Sequence, residues 1–371
     1  MGRIVQQCKQ CGREIYFDGI CITCRTENER NEILALSQDE MDAAIQKICD
    51  EIEESGELDK ESDLFTKLLN YRDINTEKIA KAAFEKQLFY PGEIYKDAPD
   101  EIIRAMIEML EQDNIDLPLL VSYLLVCLAI HGGEDVFSSF VELEKHPRKW
   151  REKIHANPSD YATYGGWSFD GDGNALKTNF EKCYPMVKGT LEEKKHSPVK
   201  IGGRTNEKCP HCGGTRVNLM EVDGRDSRLQ FLGIDGVIKA KCCPNCVMYS
   251  DDNFCRYTIN GESEVILDEN SQQMEDFVED AGVEKLDSNT YILGDKPVPP
   301  RYAADWEGGS AIGGFAFWIQ DCVIKSCPDC KKPMKYLAQI QWDTVLDGWE
   351  GNAYIEICKD CNVIAVLHQQ T

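Results

Sequence analysis

Three sets of cysteines carry the spacing of metal ligands: Cys8, Cys11, Cys21 and Cys24; Cys209, Cys212, Cys243 and Cys246; Cys327, Cys330, Cys358 and Cys361. Two residues between paired cysteines let the backbone curl into a knuckle whose sulfurs face one ion, and two knuckles close a tetrahedral shell. The expected ion is Zn2+, with iron or a redox dithiol as the alternatives. Four thiolates fill that shell and leave no position for water, so the expected role is structural. Each such site sets four thiolates against one divalent ion, so three of them take the formal charge from −24 to −30.

The chain holds 18 Cys, and the six outside the quartets, Cys49, Cys127, Cys183, Cys242, Cys255 and Cys322, share no spacing. Cys49 and Cys127 fall on apolar helix faces, where a thiol acts as a small hydrophobe, and Cys242 adjoins Cys243 as a possible substitute ligand. The six His residues are scattered. We find no glycine-rich phosphate loop, dinucleotide fingerprint, nucleophile elbow or His-Glu-x-x-His helix. Asp170, Asp172 and Asn174 resemble the start of a calcium loop, but Gly173 is misplaced and no closing Glu follows, so a turn between strands is expected. The expectation is a protein without catalytic residues.

The elements that position the quartets read as follows. The segment "REIYFDGI" allows a tight hairpin turning at Asp18-Gly19 inside a small zinc ribbon. The second quartet encloses "RVNLMEV", "RLQFLGI" and "VIKAKC", the third "MKYLAQIQ" and "AYIEIC", all with strand patterning. Both are preceded by Ile-Gly-Gly, at Ile201 and Ile312, and followed by a β-prone tail, "VMYSDDNFCRYTI" or "NVIAVLHQQ". The two units therefore read as a duplication.

Between the first and second quartets the period becomes helical. Ser37 and Glu40 form a capping box ahead of a stripe of Met41, Ala44, Ile45, Ile48, Cys49 and Ile52, ending near Gly56. Further helices are expected at "ESDLFTKLLNY", "NTEKIAKAAFEKQLF", "PDEIIRAMIEMLEQD", "LPLLVSYLLVCLAIHGG" and "EDVFSSFVELEKH". Tyr161, Tyr164, Trp167 and Phe169 then crowd beside glycines, as an interdomain core or a partner hot spot. The fold class is α+β multidomain: a zinc ribbon at residues 1–27, an acidic all-α bundle or short helical stack at 28–156, and a mostly-β domain of two duplicated zinc-ribbon-like units at 157–371.

Charge bounds the partners. Residues 1–150 hold 31 Asp/Glu and 17 Lys/Arg, and the whole chain has a pI near 4.7. Such a surface repels nucleic acid and anionic membranes and attracts a basic protein. The start "MGRIVQQCKQCGREIYF" has no apolar run of signal-peptide length, and "LPLLVSYLLVCLAI" is short for a membrane span, so a cytoplasmic location is expected.

The stretch "IGGFAFWIQDCVIKSCPDCKKPMKYLAQIQWD" followed by "IEICKDC" resembles the YwqG-like family. The features in common are Gly313, Gly314, Trp318, Ile319, Gln320, Cys327, Cys330, Leu337, Gln339 and Ile340, and the resemblance covers residues 160–371. Many members have a proline where this chain has Ala316. Members occur beside polymorphic toxins and are thought to act as immunity proteins, so the resemblance implies tight binding of a cognate, basic toxin domain and occlusion of its active-site cleft. A zinc-ribbon adaptor in nucleic-acid metabolism and a metal-dependent hydrolase are the alternatives. The first lacks a basic stripe beyond residues 1–25, and the second needs an open metal site.

Overall fold

Gln6–Gln7 (β1) and Glu14–Ile15 (β2) pair antiparallel, Gln6 opposite Ile15, so the turn of this hairpin is the Cys8/Cys11 knuckle itself. Asp18-Gly19, expected at the turn, instead folds back beneath it, where the Lys9 amide donates to the Gly19 carbonyl. The computed structural model of the chain describes residues 5–12, 14–58, 63–112, 117–249, 253–267, 280–305, 309–346 and 349–371.

A helix that the sequence pattern does not announce, Ile22–Ala35 (α1), continues straight out of the ribbon and carries Cys24. Its residues are polar all round, so no apolar stripe marks it. It is held from outside: Glu29 pairs with Lys67 at 2.8 Å, and Arg72 caps its end by donating to the Ile33 and Leu36 carbonyls. Ribbon and helical part are thus continuous across the 27/28 line.

The expected helices follow as Gln38–Ser55 (α2), Leu64–Arg72 (α3), Glu77–Glu85 (α4), Asp100–Leu110 (α5), Pro118–His131 (α6) and Glu134–Lys145 (α7). The Ser37/Glu40 capping box is formed in both directions, and Gly56 closes α2 in the left-handed region. Helix α6, apolar on all sides, is the centre of the helical core, with Leu124, Leu125 and Leu128 fully buried.

The helical core reaches past residue 156. A 3-10 segment, Pro158–Gly165, and the hairpin of Trp167–Phe169 (β3) and Ala175–Lys177 (β4) pack onto it. Trp167 lies among Phe137, Phe140 and Phe169, with ring centroids 4.5 to 5.3 Å away, and its Nε1 donates to the Ala129 carbonyl. Gly165 permits this approach, because a Cβ there would sit 1.8 Å from the same carbonyl oxygen. The Trp167 cluster is therefore core and not a surface hot spot. The Asp170 loop is the turn of this hairpin, its carboxylate accepting from the Asp172 and Asn174 amides.

The remainder builds two sheets. Phe180–Lys188 (β5) is followed by a short helix, Leu191–His196 (α8). Val199–Ile201 (β6), Arg204–Lys208 (β7), Thr215–Asp223 (β8) and Val237–Cys242 (β9) then form a four-stranded sheet, with β6 and β7 along one edge of β8 and β9 along the other. Pro244–Tyr249 (α9), Phe254–Tyr257 (β10), Ser263–Ile266 (β11), Asp280–Ser288 (α10) and Tyr291–Leu293 (β12) lead to Ala311–Gly314 (β13), Lys335–Gln341 (β14), Asn352–Cys358 (β15) and Val363–Gln369 (β16). The second sheet is antiparallel in the order β11-β10-β16-β15-β14-β13-β5-β12. One apolar cluster, with Val217, Leu219, Ile238, Ile340, Ile355 and Val366, lies between the sheets.

Two strand expectations fail locally. "RLQFLGI" forms a 3-10 turn at Gln230–Leu232 ended by left-handed Gly233, and the tail after the second quartet begins as α9, leaving only β10 extended. Each follows a single break in the strand period, Gly224 before the first and Pro244 before the second.

The duplication is visible in the register. Ile201 pairs with Met220 and Met220 with Ala240; Ile312 pairs with Ala338 and Ala338 with Ile355. Counted from the cysteines, Met220 and Ala338, and Ala240 and Ile355, are the same positions in both units, as is a one-residue bulge at Leu219 or Leu337, while Ile201 and Ile312 precede their first cysteine by different distances and share only their partner position. Gly202 and Gly313 both have positive φ, 78° and 75°, and a Cβ on either would lie within about 2.2 Å of a backbone oxygen. The units interlock, because β10 of the first pairs with β16 of the second.

Candidate metal centres

Within each quartet the four Sγ atoms all lie within 4.8 Å of one another. Individual separations are 3.6 Å for Cys11 and Cys21, 3.5 Å for Cys209 and Cys246, 3.4 Å for Cys212 and Cys243, and 3.8 Å for Cys330 and Cys358. A tetrahedral ion with metal–sulfur bonds of about 2.3 Å places its sulfurs about 3.8 Å apart. The spacing fits one ion per quartet, whereas a disulfide needs sulfurs at about 2.0 Å. All twelve predicted ligands are brought together as expected.

The sulfurs are tuned by their surroundings. Backbone amides, foremost that of Cys21, donate to Cys8 and pull its thiol down to about 6. The hydrogen bond from Cys243 lowers Cys209, and backbone donation from Lys332 lowers Cys330. Their partners move the other way: the Cys209 sulfur pushes Cys246 up to about 12, and that of Cys330 pushes Cys361 up to about 11. Four sulfurs this close cannot all ionise without a cation between them, which is what a divalent ion supplies.

The three sites differ in their support. Around the first, the buried cluster among the described residues is Cys8, Ile15, Cys21 and Cys24, and Tyr16, Phe17 and Ile22 remain exposed. The second is buried throughout, with the Asn245 amide 3.7 Å from the Cys212 sulfur. The third caps the β14–β15 hairpin and is bolted to the first unit by two cations. Arg256 on β10 pairs with Asp329 at 2.8 Å and reaches the Cys361 carbonyl, while Lys359 donates to the Leu232 carbonyl.

Of the other cysteines, Cys49 and Cys127 are buried in the helical core. Cys242 and Cys255 lie in the cluster between the sheets, where burial pushes both thiols up. None of these joins a quartet. Two buried groups escaped the sequence reading. Glu356 on β15 is fully buried, with one carboxylate oxygen accepting from the Lys325 amide and the other without a hydrogen-bond partner among the described residues. Opposite it in register, the Tyr336 hydroxyl likewise has no partner among the described residues. Burial pushes the Glu356 carboxyl up to about 8. Alternation along β15 sets Glu356 on the face opposite Ala353, Ile355 and Ile357, where a carboxylate reads as solvent-facing, so the sequence pattern carried no signal of its burial, which arises because both faces of this strand are covered.

The β domain is joined to the helices through residues 298–305. Arg301 is 8% exposed, lies 4.4 Å from the Phe315 ring centroid and pairs with Glu93 at 3.4 Å. Arg30 of α1 sits between the rings of Tyr71 and Tyr302, at 5.0 and 4.8 Å, and the Tyr71 hydroxyl donates to Asp305.

Fold and sites together define an α+β protein with three four-cysteine clusters suited to metal. No family model matches the chain, and no solved structure matches it. It is similar to the "uncharacterized protein YpfL" of Salmonella typhimurium, 27% identical over 280 residues that cover 74% of this chain and 64% of that protein. The chain thus spans less than two thirds of the length of this relative. No helix among the described residues is long and apolar enough to cross a membrane.

Proposed function

We propose that the protein acts by binding: an immunity-type protein, held rigid by three structural Zn2+ ions, that neutralises a basic toxin domain by occluding its active-site cleft. The observation that carries this reading is the closed geometry of the quartets, in which four sulfurs within 4.8 Å of one another leave a metal no open position for a substrate or water. The formal charge of −24 supplies long-range attraction for a cationic cleft. The resemblance of residues 160–371 to the YwqG-like family points the same way.

The test is a pull-down of the tagged, metal-loaded chain from its native cells at moderate and then high salt, with mass spectrometry of what is retained. A basic polypeptide recovered in near-equal amount, lethal when expressed alone and harmless when co-expressed with this chain, is the expected result. A captured polypeptide that is harmless by itself, or recovery of ribosomal or polymerase components in its place, would overturn the proposal.

A further inference from the structure

The two duplicated units differ in what lies over the outer face of each sheet. Asn218 pairs with Lys241 and Glu221 with Lys239 in the first; at the same register Tyr336 pairs with Glu356 and Gln339 with Tyr354 in the second. In the second unit residues 315–326, between Gly314 and Cys327, cover this face. The Phe317 amide donates to Gln339 at 2.9 Å, the Ile319 amide to the Tyr354 hydroxyl at 3.2 Å and the Lys325 amide to Glu356 at 2.8 Å. Tyr336, Tyr354 and Glu356 are fully buried beneath them. In the first unit the shorter link 204–208, between Gly203 and Cys209, enters the sheet edge as β7 instead, and Asn218, Glu221, Lys239 and Lys241 stay partly exposed.

The first face is charged, and its charges do not cancel. Lys200 and Lys239 share Glu221, at 2.9 and 3.1 Å, and Lys241 and Arg216 share Glu207, at 2.6 and 3.5 Å. Each trio therefore keeps one positive charge, in a chain whose formal total is −24. Arg216 gives only Nη1 to Glu207; its Nε and Nη2, the edge that takes a carboxylate through two parallel bonds, have no hydrogen-bond partner among the described residues. Lys239 and Lys241 are alternate residues of β9, so the lysines of the two trios lie roughly 7 Å apart, the spacing of same-side residues on an extended chain. A groove of about 460 Å³ continues the face beyond Lys200; there Asp223 is held by Arg225 and Asp226 by Arg228, so neither carboxylate takes up a lysine of the face.

A chain laid on this face, as residues 315–326 lie on the other, meets lysine and arginine donors where the second unit offers neutral or protonated acceptors. Such donors take carboxylates. At physiological salt, charges farther than about 8 Å are largely screened, so the sign of the face governs what it holds at contact. We propose that the outer face of the first unit's sheet docks an extended, acidic peptide segment of a partner protein, with Asp or Glu at alternate positions. The face has the wrong sign for a basic toxin domain, so this contact is additional to the one proposed above and does not rest on it.

The test uses the full, metal-loaded chain and a short fluorescein-labelled peptide of alternating Glu and Thr, with fluorescence anisotropy as the readout. The comparisons are a peptide of the same composition with its Glu in one block, a peptide of alternating Lys and Thr, and a labelled oligothymidylate. Saturable binding of the alternating acidic peptide is expected, with weaker binding of the block peptide and none of the lysine peptide. Lys200 and Lys239 are 33% and 27% exposed, and replacing both, Lys200→Gln with Lys239→Gln, should weaken binding about tenfold. Glu221→Gln, which releases both lysines, should tighten it, and opposite signs within one trio are what a merely structural role would not give. Metal content and melting temperature establish that the variants fold. No binding of the alternating peptide, block peptide or oligothymidylate bound as tightly, or lysine and glutamate variants that shift affinity in the same direction would overturn the proposal. A dimer in sedimentation that the lysine variant abolishes would give the face to a second copy of the chain and overturn it too. The readout is a probe on the isolated chain, so it is independent of whether a toxin is neutralised.

Discussion

Metal removal should dismantle the first ribbon and spare the third. Ordering the fourteen residues from Cys8 to Cys21 costs about 14 kcal/mol at roughly 1 kcal/mol each. Burial of Ile15, the one apolar side chain other than cysteine in that cluster, returns about 2–3 kcal/mol. A four-thiolate ion contributes about 10–16 kcal/mol, which is what brings the sum into balance. The third knuckles instead cap strands whose Ile340, Ile355 and Ile364 are fully buried between two sheets. The assay is a chelator titration with released zinc measured by a colorimetric dye and amide exchange followed by mass spectrometry. Residues 5–21, including the Gly12 amide bonded to the Cys8 carbonyl, should lose protection as their ion leaves, while β14 and β15 keep theirs. Protection of residues 5–21 after complete metal loss, or simultaneous loss of protection in β14 and β15, would refute the reasoning.

Cys330→Ser should lower metal content from three ions per chain to two by elemental analysis and fray residues 325–334, with the central strands still protected. Arg301→Ala should cost about 2–3 kcal/mol, less than a fully enclosed pair because the Glu93 side chain is 33% exposed, and should separate the calorimetric transitions of helical and β parts; Arg301→Met, which keeps the stem, should cost less. Trp167→Ala should cost about 3–5 kcal/mol in the helical transition, measured by calorimetry. Glu356→Gln should stabilise the protein increasingly from pH 5 to pH 8. The folded carboxyl keeps its proton up to about 8 while the unfolded one loses it near 4.3, so the wild type loses stability as pH rises through that window and the variant does not. Denaturation midpoints that differ by the same amount at pH 5 and pH 8 would contradict it.

Much of this architecture could be read from particular residues. The quartets were legible because thiolate ligands must recur at knuckle spacing, and the duplication because Ile-Gly-Gly and Cys-Pro-x-Cys mark the same register in both units. The main helices were legible from their apolar stripes and the Ser37/Glu40 cap. Helix α1 was not, since Lys67, Tyr71 and Arg72, far along the chain, hold a helix with no stripe of its own. The assignment of Trp167 to the helical core was hidden for the same reason: its partners Phe137 and Phe140 lie on another element, and only packing reveals which core claims it.

The exchange of β10 onto β16 sets an order on synthesis. About a hundred residues separate Tyr257 from Val363, so at about 5–20 residues per second the β10–β11 hairpin waits on the order of 5–20 s for the strand that covers its edge. Throughout that interval it presents open backbone donors and acceptors to any strand nearby. Arg256, exposed on that edge, is a gatekeeper during the wait and a clamp on the third knuckle once the wait ends.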